Sequence, residues 1–321
     1  MKKFSSRMAI LLIIITLCAT CANAATTLIP GGQVIGLQLC DGSVTVSEFD
    51  ESLGAAAKAA GLQKGDRIVH INGKPVTCPE DVRNILCRGD DQVTLSVRRG
   101  DKTKKLTLRP AATADGPRLG VYLRQGTTGL GTVTYYDPET KNFAALGHGV
   151  NSPEGTLLTM TAGSVYDATI FSVKKGKTGA PGQLLGTMTD PKALGSLLKN
   201  TQQGVFGKAD RAFAGDALPV ASAEEVKTGS ATIRSTIGGS AIQEYSVEIL
   251  KIYPNTDHRT RNMLLKVTDE TLLASTGGIV QGMSGSPIIQ NGKLIGAVTH
   301  VLVNDPTMGY GIFIENMLNV A

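Results

Sequence analysis

The run Gly282-Met283-Ser284-Gly285-Ser286-Pro287 sets a serine between residues that allow a sharp backbone turn. A serine hydroxyl is a poor nucleophile until a base takes its proton and nearby donors receive the developing negative charge. The glycines on either side of Ser284 permit a turn that aims the amides of Gly282 and Ser284 at one point. The natural base is a histidine, and the chain has four. His148, in Ala144-Ala145-Leu146-Gly147-His148-Gly149, lies where an apolar strand end opens into a glycine turn, a place that exposes an imidazole without burying its polar edge. His300 lies on the apolar strand after the serine and is the rival for the role. His258 sits in the polar run Asn255–Asn262, and His70 alternates with apolar neighbours as a packed or solvent-facing strand residue would. A carboxylate must then hold the histidine tautomer and offset the imidazolium charge. Asp269, closing the strand-like run Met263–Thr268, is the best placed; Asp167, Asp190 and Asp257 satisfy the same chemistry.

The elements that must position these groups belong to a chain of 321 residues, room for two domains at roughly 100–200 residues each. Residues 1–24 carry Lys2, Lys3 and Arg7, then the apolar run Met8–Thr20, then Ala22-Asn23-Ala24. This is the order of a secretory signal peptide or anchor, and its apolar run falls short of the ~20 residues that span a bilayer. Without its three basic residues, 29 basic face 27 acidic side chains. No dense basic block with interleaved aromatics points to nucleic acid, and Arg98–Lys105 reads as a solvated hairpin. Cleavage after Ala24 leaves Cys40, Cys78 and Cys87, an odd number without a disulfide framework; free thiols or a Cys78–Cys87 bridge both fit. The spacing of Cys, His and acidic residues gives no metal site and no cofactor motif.

Residues 33–109 form a first unit. Gln33–Leu39 reads as a glycine-containing loop entering a strand and Ser43–Phe49 as the next strand, Ser52–Ala60 as a helix stopped at Gly61, and Gly65–Lys74 as a turn, a strand and an Asn-Gly hairpin. Pro79–Leu86 begins a helix with Pro in its first turn, and Val93–Val97 and Lys105–Leu108 close the unit. With Ala60-Gly61-Leu62-Gln63-Lys64-Gly65-Asp66-Arg67-Ile68-Val69-His70-Ile71-Asn72-Gly73-Lys74-Pro75-Val76 at its centre, it resembles a bacterial PDZ domain. That resemblance implies capture of an extended peptide by strand addition, with Ile35, Gly36 and Leu37 matching the loop that holds the peptide carboxylate. Residues 110–118 are a linker bounded by prolines. From 119 to 321, short apolar runs punctuated by Gly, Pro, Asn and Asp suggest a β-barrel or sandwich; Asp190–Gln203 can hold a short helix.

Thr276–Lys293 together with Gly296–Val301 and Val303–Thr307 resembles the stage IV sporulation protein B peptidase family, which also carries a PDZ domain ahead of its protease domain. Ala145-Leu146-Gly147-His148 matches that family's histidine motif and Val267-Thr268-Asp269 its aspartate motif. The resemblance implies a mainly β protein: a small α/β PDZ-like domain followed by a chymotrypsin-like double β-barrel. It further implies an exported serine endopeptidase with a His148–Asp269–Ser284 triad and Gly282 and Ser284 amides as oxyanion donors. Its substrates would be proteins, itself and a membrane-protein regulatory complex among them, in the space between forespore and mother-cell membranes, on a route to sigma-factor activation. On that reading Asp269→Asn costs on the order of 10⁴ in rate. The stretch between the leader and the PDZ unit is shorter than the family's, and a longer polar turn follows His148. Met283 stands where digestive relatives have an aspartate, so activation through an ion pair to a new N-terminus is closed to this chain. A non-catalytic PDZ scaffold with a degenerate barrel is the alternative; it calls for an inert residue at a triad position, and all three are present. Quality-control proteases place the PDZ unit after the protease, the reverse of this order.

Overall fold

The structure, a computed structural model, describes residues 26–321 except 90, 153, 154, 191 and 254–259. The leader segment, Asp257 and His258 lie outside the described residues. Among those described, no helix is long and apolar enough to cross a membrane.

The chain opens with β1 (Thr27–Pro30) and β2 (Val34–Phe49). Next come α1 (Ala55–Ala59), β3 (Arg67–Ile71), β4 (Lys74–Pro75), α2 (Pro79–Cys87), β5 (Val93–Arg99) and β6 (Lys102–Leu108). β7 (Val121–Tyr136), β8 (Asn142–Ala145), β9 (Ala162–Lys174), β10 (Gln183–Met188), β11 (Gly195–Thr201), β12 (Gly204–Ala209) and β13 (Leu218–Pro219) follow. The last part holds β14 (Gly229–Ser235), β15 (Gln243–Ile252), β16 (Met263–Val267), α3 (Glu270–Thr276), β17 (Pro287–Gln290), β18 (Lys293–Leu302), β19 (Asp305–Phe313) and α4 (Ile314–Leu318). Segment 190–203, where a short helix is expected, is largely strand β11. Its alternation of buried Gly195 and Leu197 with exposed Ser196 and Leu198 is a strand period.

Two barrels result. β2 pairs with β7, β7 with β8, β8 with β12, β12 with β11, β11 with β9, and β9 again with β2, which closes the first. β14-β15-β16-β19-β18-β17 closes the second. Ile35, Leu37, Val133, Phe143 and Val205 fill the first core; Ile233, Ile249, Met263, Leu265 and Ile288 fill the second. Between them, Tyr135, Ala144 and Phe206 of the first barrel meet Leu294, Ala297, Ile312 and Met317 of the second, all buried. Each such side chain contributes about 1.5–3 kcal/mol by leaving water if it is as large as Leu or Phe, so the two barrels are held as one block.

The PDZ unit is inserted in the first barrel and does not precede it. β2 is one continuous strand serving two cores: Ile35, Leu37 and Leu39 face the barrel, while Val44 and Val46 join Ile68, Ile71, Leu95 and Val97 in the PDZ core. β7 returns along it, Val121–Gln125 in the PDZ unit and Thr127–Thr132 in the barrel. The register shifts between Leu39 and Val44, where Gly126 at φ +66° faces the crossover. A Cβ on Gly126 would lie 1.9 Å from the Leu39 carbonyl oxygen, so glycine is required there. The boundaries expected at 33–109 and 119–321 are therefore corrected. Residues 34–40 belong to the barrel, and Leu119 packs in the PDZ core. The 110–118 stretch folds back on itself through the Ala111–Arg118 bridge. Arg99 and Lys102 pair across the expected solvated hairpin, and Cys40, Cys78 and Cys87 are free thiols.

Candidate active site

Ser284 sits in the turn that enters β17, and the first barrel grips this turn from across the interface. Thr132 N–H donates to the Ser284 carbonyl at 3.0 Å. The Thr132 and Thr134 hydroxyls donate to the carbonyls of Gly282 and Gly285 at 2.8 and 2.9 Å. Behind the turn, Gly285 N–H reaches the Val298 carbonyl and the Ser286 hydroxyl reaches the Met283 carbonyl. Gly282 and Gly285 have φ of +100° and +97°, conformations that side chains disfavour. At Gly285 space forbids a side chain too, since a Cβ would stand 2.0 Å from the Thr132 carbonyl oxygen. With their neighbours' carbonyls and amides so engaged, the amides of Gly282 and Ser284 have no acceptor among the described residues. Free donors flanking a nucleophile are what an oxyanion needs. The Ser284 hydroxyl itself donates to the carbonyl of Thr299 on β18 at 2.8 Å.

His148 follows β8 through two residues of positive φ, Leu146 at +72° and Gly147 at +66°. A left-handed leucine is costly unless its surroundings enforce it, and such strain gathers at functional sites. A Cβ on Gly147 would approach Thr299 Cγ2 to 2.9 Å, which shows how tightly this turn lies on the second barrel. His148 Nδ1 is 2.9 Å from the Gly149 carbonyl. A carbonyl only accepts, so Nδ1 carries the proton and Nε2 keeps its lone pair, the tautomer that a general base requires. Burial lowers the His148 pKa, with the Gly149 carbonyl opposing that effect in part. Its ring lies 5.0 Å from that of His300, centroid to centroid. Ser284, His148, Gly282, Thr299 and His300 all line one cleft of about 1130 Å³ between the barrels.

Asp269 stands elsewhere. It is the N-cap of α3, taking the Leu272 amide at 2.9 Å on one carboxylate oxygen and the Ser246 amide at 3.3 Å on the other. It does not line the cleft; Ser246 and Thr268 beside it line a different one. Asp167 pairs with Arg211 at 2.6 Å, and Asp190 caps its own turn at Lys192. The structure thus brings Ser284, His148 and the two amides together and leaves Asp269 apart. The sequence signal for a helix start, Asp followed by Glu270 and an apolar run, was equally present at that position. Thr132, Thr134 and Thr299, all buried, are site residues that lie outside the catalytic motifs; Thr132 and Thr134 show in the sequence only as alternating threonines in the run that forms β7, and Thr299 on β18 only as the neighbour of His300.

Ile35, Gly36 and Leu37 require a second correction. They lie inside β2, paired with β7 on one side and β9 on the other, and Ile35 and Leu37 are buried in the barrel core. Their amides are used by the sheet and cannot cradle a carboxylate. The edge of the PDZ sheet opposite β6 is Val121–Gln125 of β7, which among the described residues pairs only with β2. It follows Gly120 (φ +71°) and lies beside α2, bridged there by Gln125 donating to the Thr77 carbonyl.

Two closed barrels, a serine turn from one facing a histidine turn from the other, and a PDZ unit inserted in the first define a chymotrypsin-like serine peptidase architecture. The profile of the SpoIVB peptidase S55 family matches residues 115–318, and that of the PDZ domain matches residues 52–99. The chain belongs to the SpoIVB peptidase S55 family. It is also 33% identical over 79 residues to a putative zinc metalloprotease of Rhizobium meliloti and 35% identical over 88 residues to one of Agrobacterium fabrum. These alignments cover 24% and 27% of this chain, and the chain spans only 21% and 23% of those relatives' length. Among the described residues no group of three or more His, Cys, Asp or Glu is placed to hold a metal ion. Among solved structures, the inactive form of the Rv3671c protease of M. tuberculosis aligns with TM-score 0.34 and 15% identity, over 59% of this chain and 81% of that one. Its active form aligns with TM-score 0.34 and 17% identity, over 60% and 72%.

Proposed function

We propose that the protein is an exported serine endopeptidase in which Ser284 attacks the scissile carbonyl and His148 serves as base, then as acid. The observation that carries this reading is the meeting of Ser284 and His148 in one cleft beside two uncommitted amides. The serine proton passes to Nε2 of His148 as the Oγ–C bond forms. The amides of Gly282 and Ser284 take the oxyanion, and the same proton goes to the leaving amine as the C–N bond breaks and the acyl-enzyme forms; water then attacks the ester, gives its proton to His148, and Ser284 Oγ takes that proton as the acid product leaves. Before attack, Ser284 Oγ must leave the Thr299 carbonyl and turn to His148. The substrates are proteins: the chain itself and membrane proteins of a sporulation signalling complex that leads to sigma-factor activation, met outside the cytoplasmic membrane after export by the N-terminal segment. The PDZ unit takes an extended peptide on the open edge of β7 next to α2. Mass spectrometry of fragments formed by the purified mature chain, wild type beside Ser284→Ala, tests this. Cleavage that persists in the variant, or that is absent from both, ends the proposal.

Two observations favour a second reading, that of a non-catalytic peptide-binding scaffold: Ser284 is bonded to backbone, and Asp269 is spent on capping a helix. The same comparison decides between them, because a scaffold leaves both chains intact.

A further inference from the structure

We propose that His300 is the positioning residue of His148: its neutral imidazole stands beside the ring of the catalytic base, and its lone pair steadies the imidazolium formed when Ser284 gives up its proton. This rests on the reading of Ser284 and His148 as nucleophile and base. The rings lie 5.0 Å apart at an interplanar angle of 38°, both on the wall of the same cleft. Nδ1 of His300 is buried and has no hydrogen-bond partner. A buried ring nitrogen left unpaired is costly and calls for an explanation. No aspartate or glutamate is among the described residues lining the cleft, and Asp269, Asp167 and Asp190 are engaged elsewhere. His148 Nδ1 has only the Gly149 carbonyl.

A cation formed in a buried site needs a compensating dipole. The imidazolium charge spreads over the whole ring, C–H edge included, so a lone pair on the adjacent ring lowers its energy while the Gly149 bond stays in place. A second cation there would do the opposite. The groups facing His300 guard against that: His148 from the turn after β8, Arg261 from the segment before β16, and Tyr310 on β19, over whose ring Arg261 lies at 5.3 Å. Burial first, then His148 and Arg261, hold the His300 pKa down to about 4, so the ring is neutral at working pH. His300 neither gains nor loses a proton in the cycle.

The test uses the full mature chain with a fluorogenic peptide and an active-site phosphonofluoridate label, in wild type, Ser284→Ala, His300→Phe and His300→Asn. Phenylalanine keeps a ring and removes the lone pair. His300→Phe is expected to lower kcat by ~10-fold or more, KM staying within about 2-fold, and to move the acid limb of the pH profile to lower pH; tenfold equals 1.36 kcal/mol of lost imidazolium stabilisation. His300→Asn, which retains an acceptor, recovers part of kcat. An unmoved acid limb with kcat within 2-fold of wild type overturns the inference, and so does a loss confined to KM, which would make His300 a substrate contact. A wild type that neither cleaves nor takes the label more than Ser284→Ala overturns the peptidase reading itself, a result that the His300 variants cannot mimic.

Discussion

The hydroxyl of Ser284 donates to the main-chain carbonyl of Thr299 at 2.8 Å and makes no hydrogen bond to His148. Thr299 lies where β18 is bulged between Val298 and His300, and its carbonyl there accepts from Ser284. β17 pairs with β18 only as far as Ala297. Val298 is still bonded to the serine turn, its amide to the Ser286 carbonyl and its carbonyl to the Gly285 amide; from Thr299 onward an extended substrate could lie along the edge, and its amide would compete with Ser284 for the Thr299 oxygen. Substrate binding would then release the nucleophile toward its base.

Replacing Ser284 with Ala removes both the proposed nucleophile and this bond. Peptide cleavage should fall by ~10⁶-fold, the scale seen when a triad nucleophile is lost. Stability should change little, by about 0.5–1.5 kcal/mol, the net worth of one hydrogen bond. Fragment analysis and thermal melting of the same preparation check both. A variant that melts far lower would mean that the hydroxyl chiefly braces the turn.

The pH profile should carry the mark of a buried base. His148 must be neutral to accept the serine proton, and its pKa lies below the ordinary histidine value because burial disfavours the charged ring. The acid limb of kcat/KM therefore falls below pH ~6.5. An acid limb at or above the ordinary value would assign the base to another group. Conformational stability runs with the same sign. For His148 and His300 the folded pKa lies below the unfolded one, so their contribution is present above pH ~6.5 and is lost as pH falls toward the folded values. His300→Phe should consequently blunt the loss of melting temperature between pH 6.5 and about 4.

Asp269 should behave as a helix cap. Asparagine keeps the oxygen that accepts the Leu272 amide, so Asp269→Asn is expected to retain activity close to wild type. Asp269→Ala should cost about 0.5–2 kcal/mol of stability, the range for an N-cap lost to alanine. Steady-state kinetics and denaturant melts separate the two effects. A loss near ~10⁴ in kcat for the asparagine variant, the effect of a wrong tautomer, would return this carboxylate to the triad.

What the sequence could show of this site was set by how local the signal is. Ser284 and His148 each sit in a short glycine-bearing turn whose chemistry is written in adjacent residues, and both turns reach the cleft. Asp269 matched a motif of three residues, but the same residues also spell a helix start, and only the tertiary fold decides which reading holds. The PDZ elements from α1 to β6 were legible from periodicity and turn residues. Their insertion was not, because β2 alternates without a break while its two halves serve different cores. The crossover is a matter of which strand pairs with Leu39 and which with Val44. Ile35 and Leu37 were misplaced for that reason: an apolar run around a glycine fits a binding loop and a barrel strand equally well.

Gly285 should tolerate no side chain. In Gly285→Ala the new Cβ meets the Thr132 carbonyl oxygen at 2.0 Å and the Leu146 amide nitrogen at 2.5 Å, both backbone atoms of the other barrel. The positive φ adds strain of ~1–3 kcal/mol, and relief of the clash pulls the serine turn off β7. The variant should lose activity and melt several degrees lower, at about 2–4 °C per kcal/mol for a chain of this size. Normal melting together with normal activity would show that the turn is not held in the way described.

The PDZ unit should fail separately from the cleft. Asp66 is fully buried and takes Arg99 in a two-pronged pair, Nε and Nη2 each at 2.6 Å, with the Gln63 amide on the same carboxylate at 2.9 Å. Arg99 continues to the Gly61 carbonyl at 2.8 Å, so one ion pair ties α1, β3 and β5 together. Asp66→Ala removes the buried carboxylate and its bonds to Arg99 and the Gln63 amide; the guanidinium left behind is partly exposed, so the cost is about 1.5–3 kcal/mol, the range for hydrogen bonds to a charged group. The barrel halves of β2 and β7 are sealed by β8 and β9 as well as by each other, so the damage should stop at the Gly126 crossover. Limited proteolysis should cut Asp66→Ala between residues 50 and 118 while phosphonofluoridate labelling of Ser284 persists. Loss of labelling at the same rate as loss of the PDZ fold would show instead that the inserted unit holds the catalytic turn in shape, through the two strands it shares with the barrel.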